Sequence, residues 1–284
     1  MKSIFYFAFV RIPVVFIYMF YRFIAIFNPA NKYHQLFYYN MGNRLNLEVV
    51  NDGIVFDASF STPASRAERL LTKEPDTLHW INENMDSGDV LYDIGSNIGV
   101  YSLYAALRDV EVIAFEPESS TYAILNKNIY LNKLEDKIKA LNVALYDEDC
   151  ISYLNISNYQ PGKSGHTFHD QVNPNLKPFS PVFKQCVIGL KMDTLLEQFA
   201  LPFPNHIKID VDGNEHKIIR KMGSILPDKR LKSIAVEINT KLVEHQEVIN
   251  ILESNVFVRL EEPEYINEAY HETGYMNYFF ARKE

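Results

Sequence analysis

The sequence predicts an α/β protein built on a mostly parallel sheet, and three observations predict it. Val90 to Pro117, VLYDIGSNIGVYSLYAALRDVEVIAFEP, opens with a short, β-branched apolar run that Gly95 breaks, as a buried strand does. Ser96, Asn97 and Gly99 then make a tight turn, Val100 to Leu107 has helical apolar spacing, and Val112 to Phe115 is a second strand ending in Glu116-Pro117. The same strand–turn–helix logic returns at Ile207 to Met222, around Asp210, Asp212 and Gly213. Two such units, each with carboxylates at a strand's carboxyl end, are parts of a nucleoside-binding fold.

The carboxylates suggest which nucleoside. In open α/β sheets the ligand lies outside the carboxyl ends of the strands, where Asp93 and Glu116 both fall, and an acid after the second strand accepts ribose hydroxyls. A dinucleotide site wants Gly-x-Gly-x-x-Gly, so that a pyrophosphate can lie on the helix amino terminus. Here only Gly95 and Gly99 occur, with Asp93 placed to repel a phosphate. A ligand carrying an ammonium and a sulfonium suits that acid, and S-adenosylmethionine is one.

Four stretches in order, YDIGSNIGVYSLYAA, AFEPESSTYAILNKNIYLN, IKIDVDGNEHKIIRKM and IAVEIN, resemble the signature blocks of the FkbM family of S-adenosylmethionine-dependent methyltransferases. The resemblance spans about residues 65 to 282. It implies a class I methyltransferase (Rossmann-like) fold, with a seven-stranded, mostly parallel sheet, flanking helices and a closing antiparallel hairpin. It also implies methylation of a hydroxyl on a sugar, polyketide or related small molecule, without fixing the acceptor.

The chain has 284 residues, 47% apolar and 23% charged, which are ordinary globular values with ample core. A net charge of −8 argues against a nucleic-acid groove, which needs a basic face. Cys150 and Cys186 give no disulfide framework, so a reducing compartment is the default. Residues 3–27 are the outlier, with Arg11 and Arg22 as the only charges. As one helix they would reach about 37 Å, enough to cross or line a bilayer. Spanning would place Arg11 near mid-bilayer, at a cost of about 2.5–3.5 kcal/mol. An interfacial helix is therefore preferred to a span, with an apolar arm packed on the domain or in an oligomer as a third reading. Arg22, Lys32 and Arg44 place the rest of the chain on the cytoplasmic side. The division expected is 1–30 as a membrane-associating segment, 31–85 as a cover of hairpin and helices, and 86–284 as the methyltransferase domain.

Leu45 to Phe56 alternates around Asn51-Asp52-Gly53, a hairpin signal. Ala64 to Met85 reads as helix interrupted near Glu74-Pro75. Ser119 and Ser120 offer caps for the helix Tyr122 to Leu131, whose Asn126, Asn128 and Asn132 read as local hydrogen-bonders. Ile138 to Tyr146 reads as the third strand, with Asn142 and Ala144 where this fold meets adenine. Residues 155–183, rich in Pro, Gly, Asn and Ser, read as a lid. Its His166 is a weak candidate base, and His166, His169 and Asp170 lack the spacing of a zinc site. Strands at Gln185 to Leu190 and Ser233 to Asn239, helices from Asp193 and Leu242, and a closing pair at Phe257 and Tyr275 to Ala281 complete the chain.

Transfer of a methyl from sulfonium to oxygen needs the hydroxyl positioned and deprotonated. Asp210 is the first choice of base, with Asp212 and Glu215 supporting it, although an ion-paired, capped strand end would use the same residues. Asp93 is expected at the methionine ammonium, directly or through water, Gly95, Asn97 and Gly99 around the cofactor, and Glu116 at the ribose. No metal is called for, although Asp210, Asp212 and Glu237 are a set that could take Mg²⁺. The competing readings are a nicotinamide-dependent reductase and a non-catalytic, membrane-associated nucleoside-binding module.

Overall fold

The computed structural model describes residues 48–261 and 275–283. The apolar segment 3–27, the connector after it and Arg44 lie outside the described residues. Among those described, no helix is long and apolar enough to cross a membrane.

The chain enters through a hairpin, β1 (Glu48–Asn51) and β2 (Ile54–Asp57), whose Asp52-Gly53 turn takes positive φ at both residues, as two-residue hairpins require. Three helices follow: α1 (Ser61–Glu68), α2 (Leu70–Lys73) and α3 (Pro75–Asn84). Pro75 at the first position of α3 forces the break expected near Glu74-Pro75. β3 (Val90–Ile94), α4 (Val100–Ala106), β4 (Glu111–Phe115), α5 (Ser119–Asn132) and β5 (Ile138–Leu141) form the first half of the main sheet. β10 (His206–Ile209), α7 (Glu215–Arg220), β11 (Ser233–Asn239), α8 (Val243–Ser254), β12 (Phe257–Arg259) and β13 (Tyr275–Arg282) form the second half.

The seven strands stand in the order β12-β13-β11-β10-β3-β4-β5, with β13 antiparallel to both neighbours and the other pairs parallel. This is the class I methyltransferase sheet. The chain winds outward from β3 through β4 to β5, then returns to β10 on the other side of β3. That reversal puts the topological switch point between β3 and β10, where open sheets bind ligands. One face packs against α3, α4, α5 and the hairpin through Trp80, Leu103, Leu125 and Phe56, while the other buries Met192, Ile219, Met222 and Val248.

The hairpin is held by two asparagines read from sequence as local bonders. Asn128 Oδ1 accepts the Asp57 N–H at 2.7 Å while its Nδ2 donates to the Ile98 carbonyl at 2.8 Å, and Asn132 pairs in the same double fashion with Val55. The cap of α5 is Glu118, not Ser119 or Ser120: its carboxylate accepts the N–H groups of Ser120 and Thr121 at 3.0 and 2.7 Å.

A second sheet corrects the reading of 138–190. The third strand stops at Leu141, and β6 (Ala144–Leu145) joins β7 (Cys150–Ile156), β8 (Thr167–Phe168) and β9 (Phe183–Leu190) in the order β6-β9-β7-β8. The expected lid is thus the irregular stretch between β7 and β9, tethered midway by β8. α6 (Met192–Gln198) then leads back to the main sheet. Cys150 and Cys186 are both free.

Candidate active site

Two tight turns meet at the switch point. Gly95 follows β3 with φ +82°, and a Cβ built there would lie 1.8 Å from the Asp210 carbonyl oxygen, so the turns after β3 and β10 touch backbone to backbone. Asp212 also takes positive φ (59°), a conformation Asp tolerates better than most residues, and Gly213 follows at +116°. Around this contact opens a cleft enclosing about 720 Å³, its mouth included. Six predicted residues, Gly95, Asn97, Glu116, Ala144, Asp210 and Asp212, line it.

Glu116 is buried at the end of β4. Its Oε2 accepts the Asn97 N–H at 2.9 Å and its Oε1 the Glu118 N–H at 2.8 Å, which fixes the carboxyl plane and leaves each oxygen a further lone pair. Burial still pushes its pKa from 4.5 up to about 8.

The strand-end acids differ sharply. Lys208 is buried 3.2 Å from Asp210, and although burial opposes its charge, Asp210, Asp93 and Glu74 hold it above the usual lysine range. Asp210 is driven the other way: burial raises its pKa, but Lys208, Lys73 and Arg66 outweigh that and leave it below the ordinary aspartate value. Burial and then the Asp210 charge push Asp212 up to about 6, while its Oδ2 accepts the Gly165 N–H at 2.7 Å and so ties the stretch between β7 and β9 to the strand end. Asp212 therefore holds its proton to a higher pH than Asp210, and the two acids are not equivalent.

The other four predicted residues stand behind the cleft wall. Asp93 is almost wholly buried, with Oδ2 accepting from Ser102 Oγ at 2.6 Å, and burial lifts its pKa against the pull of Lys208. Gly99 heads α4, where a side chain would strike Leu125 at 2.5 Å, so it serves helix packing. Asn142 donates to the carbonyls of Glu116 and Pro117 at 2.8 and 3.0 Å, bracing that loop. Glu215 turns back so that Oε1 accepts the N–H groups of Val211 and Gly213 at 3.0 and 3.2 Å, with burial pushing it up to about 7, while Oε2 is buried without a hydrogen-bond partner, 3.4 Å from His245 Nε2.

Sequence reasoning missed Arg66, Glu118 and Lys163 as cleft residues. His166, the weak candidate base, lines the cleft. Its Nδ1 accepts the Ser157 N–H at 3.2 Å, so the neutral ring carries its proton on Nε2, and burial holds the ring below the usual histidine range. Nε2 is buried without a partner. Among the described residues no group of three or more His, Cys, Asp or Glu is arranged to hold a metal.

The sequence model of the methyltransferase FkbM domain matches residues 93–259, more than half of the chain and all of the cleft's strand ends from β3 to β11. The chain belongs to the FkbM methyltransferase family. Two curated relatives are 27% identical: the hexuronic acid methyltransferase AglP of Haloferax volcanii over 60% of this chain, and the methyltransferase sdnD of Sordaria araneosa over 48%. The matches span 64% and 61% of those proteins' own lengths. Among solved structures, the Pyrococcus horikoshii protein PH0793 aligns at 18% identity and TM-score 0.46, covering 84% of this chain and 72% of that one. P. horikoshii TYW2 in complex with MeSAdo aligns at 19% and 0.43, covering 82% and 69%.

This FkbM chain carries an unusual load of buried acids near neutrality, which makes its stability depend on pH. Glu215 and Glu116 hold their protons to about 7 and 8, against 4.5 for an ordinary glutamate, so the folded state binds more protons than the unfolded state across that window. Stability contributed by these groups falls as pH rises through it. His206, His216 and His245, all depressed below 6.5, work the other way only below 6.5. We expect the melting temperature of the ligand-free chain to fall from pH 6.5 to 8.5 and Glu116→Gln to flatten the upper part; a flat or rising wild-type profile would contradict this.

Proposed function

We propose that this FkbM protein is an S-adenosylmethionine-dependent O-methyltransferase acting on a hydroxyl of a sugar, glycan or related small molecule. The observation that carries the reading is Glu116, a buried carboxylate held by two backbone N–H groups at the end of the strand beside the glycine turn. The cleft fits the cofactor in other respects: Ser96 Oγ and His166 Nε2 are buried polar atoms with no protein partner, as ligand-binding walls have. A nicotinamide reductase is disfavoured because a pyrophosphate would face Glu116, Asp210 and Asp212 in a cleft whose cations are Arg66 and Lys163.

When bound, S-adenosylmethionine supplies an electrophilic methyl on sulfur, and the protein does the rest. Glu116 accepts the ribose hydroxyls, Phe115, Val143 and Leu145 offer apolar surface to the base, and the touching Gly95 and Asp210 backbones set the floor. With its higher pKa, Asp212 would be the residue to take the proton of an acceptor hydroxyl and so make that oxygen nucleophilic. Asp210, paired with Lys208, would supply fixed negative charge to the cleft wall. AglP's hexuronic acid substrate supports a sugar acceptor here. An amino-terminal membrane association through residues 3–27, at the cytoplasmic face, would favour a lipid-linked or surface glycan.

The test is transfer of labelled methyl from S-adenosylmethionine to a panel of neutral and acidic sugars by the full-length protein. Label recovered as an alkali-stable methyl ether supports the reading. Alkali-labile ester would move the reaction to a carboxyl group, and no transfer by cofactor-binding protein would return the chain to the non-catalytic alternative.

A further inference from the structure

The cleft has a second lobe, which meets the first at Gly95, Asn97, Arg66 and Asp210. Its charge is of the opposite sense. The first lobe sets Glu116, Glu118, Asp210 and Asp212 against Arg66 and Lys163. The second sets Arg66, Arg69, Lys73 and Lys208 against Asp210. In a chain of net charge −8, that concentration of cations points to an anion.

Two of the four cations are committed, Lys208 to Asp210 and Lys73 to Glu74. Arg66 and Arg69 form no ion pair among the described residues. Each is oriented through Nε alone, Arg66 donating to the Gly162 carbonyl at 2.6 Å and Arg69 to the Ser65 carbonyl at 3.1 Å. That arrangement fixes the guanidinium planes and leaves the terminal nitrogen pair for a bidentate oxyanion. A second observation comes from the turn itself: Ser96 Oγ, in the same lobe, is 6% exposed and has no partner. A carboxylate between Arg66 and Ser96 would satisfy both.

We propose that this lobe anchors the α-carboxylate of the cofactor's methionine arm, gripped by Arg66, with Arg69 beside it and Ser96 Oγ donating. The proposal rests on the reading of the cleft as an S-adenosylmethionine site. Asp93, expected at the arm's ammonium, bonds Ser102 through Oδ2, has Oδ1 buried without a partner and lines neither lobe, so the wall that carries Arg66 is the one suited to the arm's negative end. The consequence is that α1, read from sequence as a cover, contributes to the cofactor site. An acceptor carboxylate is the other source of the same chemistry, and the continuity of the lobe with the Glu116 lobe through the Gly95–Asn97 turn favours the cofactor.

Two ligands separate the sources. S-adenosylhomocysteine carries the carboxylate; 5′-methylthioadenosine shares the nucleoside and thioether but has no amino-acid arm. Titrating the full chain with each, we expect Arg66→Ala to weaken S-adenosylhomocysteine by about 10–100-fold and to leave methylthioadenosine within about twofold. Arg66→Lys should recover part of the loss, because an ammonium supplies charge without the fork. Ser96→Ala should weaken S-adenosylhomocysteine alone by about 3–10-fold. Methylthioadenosine binding reports that each variant is folded. Equal loss for both ligands would make Arg66 a structural residue, and no loss for either would give the lobe to the acceptor; both overturn the proposal. Wild-type protein that binds neither compound would overturn the cofactor cleft itself, a separate and visible failure.

Discussion

Gly95→Ala is expected to abolish cofactor binding and to cost about 2–4 kcal/mol of stability, through left-handed strain of about 1–2 kcal/mol and a backbone collision that the turns relieve only by separating. The clashing atom is the Asp210 carbonyl oxygen, 1.8 Å from the new Cβ, so relief displaces the strand end that carries both Asp210 and Asp212. Gly88→Ala is the matched control. Gly88 has φ +85° and nothing within 4 Å of its Cβ position, so it should show the conformational cost of about 1 kcal/mol and normal binding. Denaturant melts and cofactor titrations on both variants check this. Normal binding by Gly95→Ala would show that the two turns are not held together as described.

Asp212→Asn should lower turnover by about 10²- to 10⁴-fold while leaving cofactor affinity nearly unchanged. Asparagine tolerates the same left-handed backbone and is close in shape, so the proton-accepting oxygen is the main loss. Wild-type turnover should rise with pH through about 6, where Asp212 gives up its proton. Asp210→Asn should behave differently, because it strips the buried Lys208 of its 3.2 Å partner and so acts first on stability and cofactor affinity. Single-turnover rates with saturating cofactor separate the two. If Asp210→Asn lost the chemical step and Asp212→Asn kept it, the assignment of the base would revert to Asp210.

The main sheet was legible because its strands are brief apolar runs closed by glycine or an acid, and residues such as Ile94, Phe115 and Ile209 are buried on both faces as parallel strands require. The second sheet was legible only in part: Gln185 to Leu190 read as a strand, as β9 is, but β8 is two residues long, and β7 turns the apolar Ile151 and Tyr153 outward, 75% and 52% exposed, against the usual apolar-in alternation. At the site, sequence located residues at strand ends but not the direction of their side chains. Asp93, Asn142 and Glu215 stand where expected along the chain, yet Asn142 braces its own loop, and Asp93 and Glu215 each give one carboxylate oxygen to the scaffold and keep the other buried without a hydrogen-bond partner. Arg66 was invisible for another reason: its partner is the Gly162 carbonyl, 96 residues along the chain, and no local spacing encodes such a pairing.

The central claim is that Glu116 holds the ribose of S-adenosylmethionine, and calorimetric titration of the full chain with that compound at pH 7.5 tests it most directly. Wild type should bind at one site with release of a proton, because hydroxyls donating to Glu116 lower a pKa that stands near 8 without them. Glu116→Gln should weaken binding by about 100-fold, as expected for losing two hydrogen bonds to a charged acceptor, and should abolish the proton release. Equal affinity in the two proteins, or no binding by folded wild type, would contradict the account.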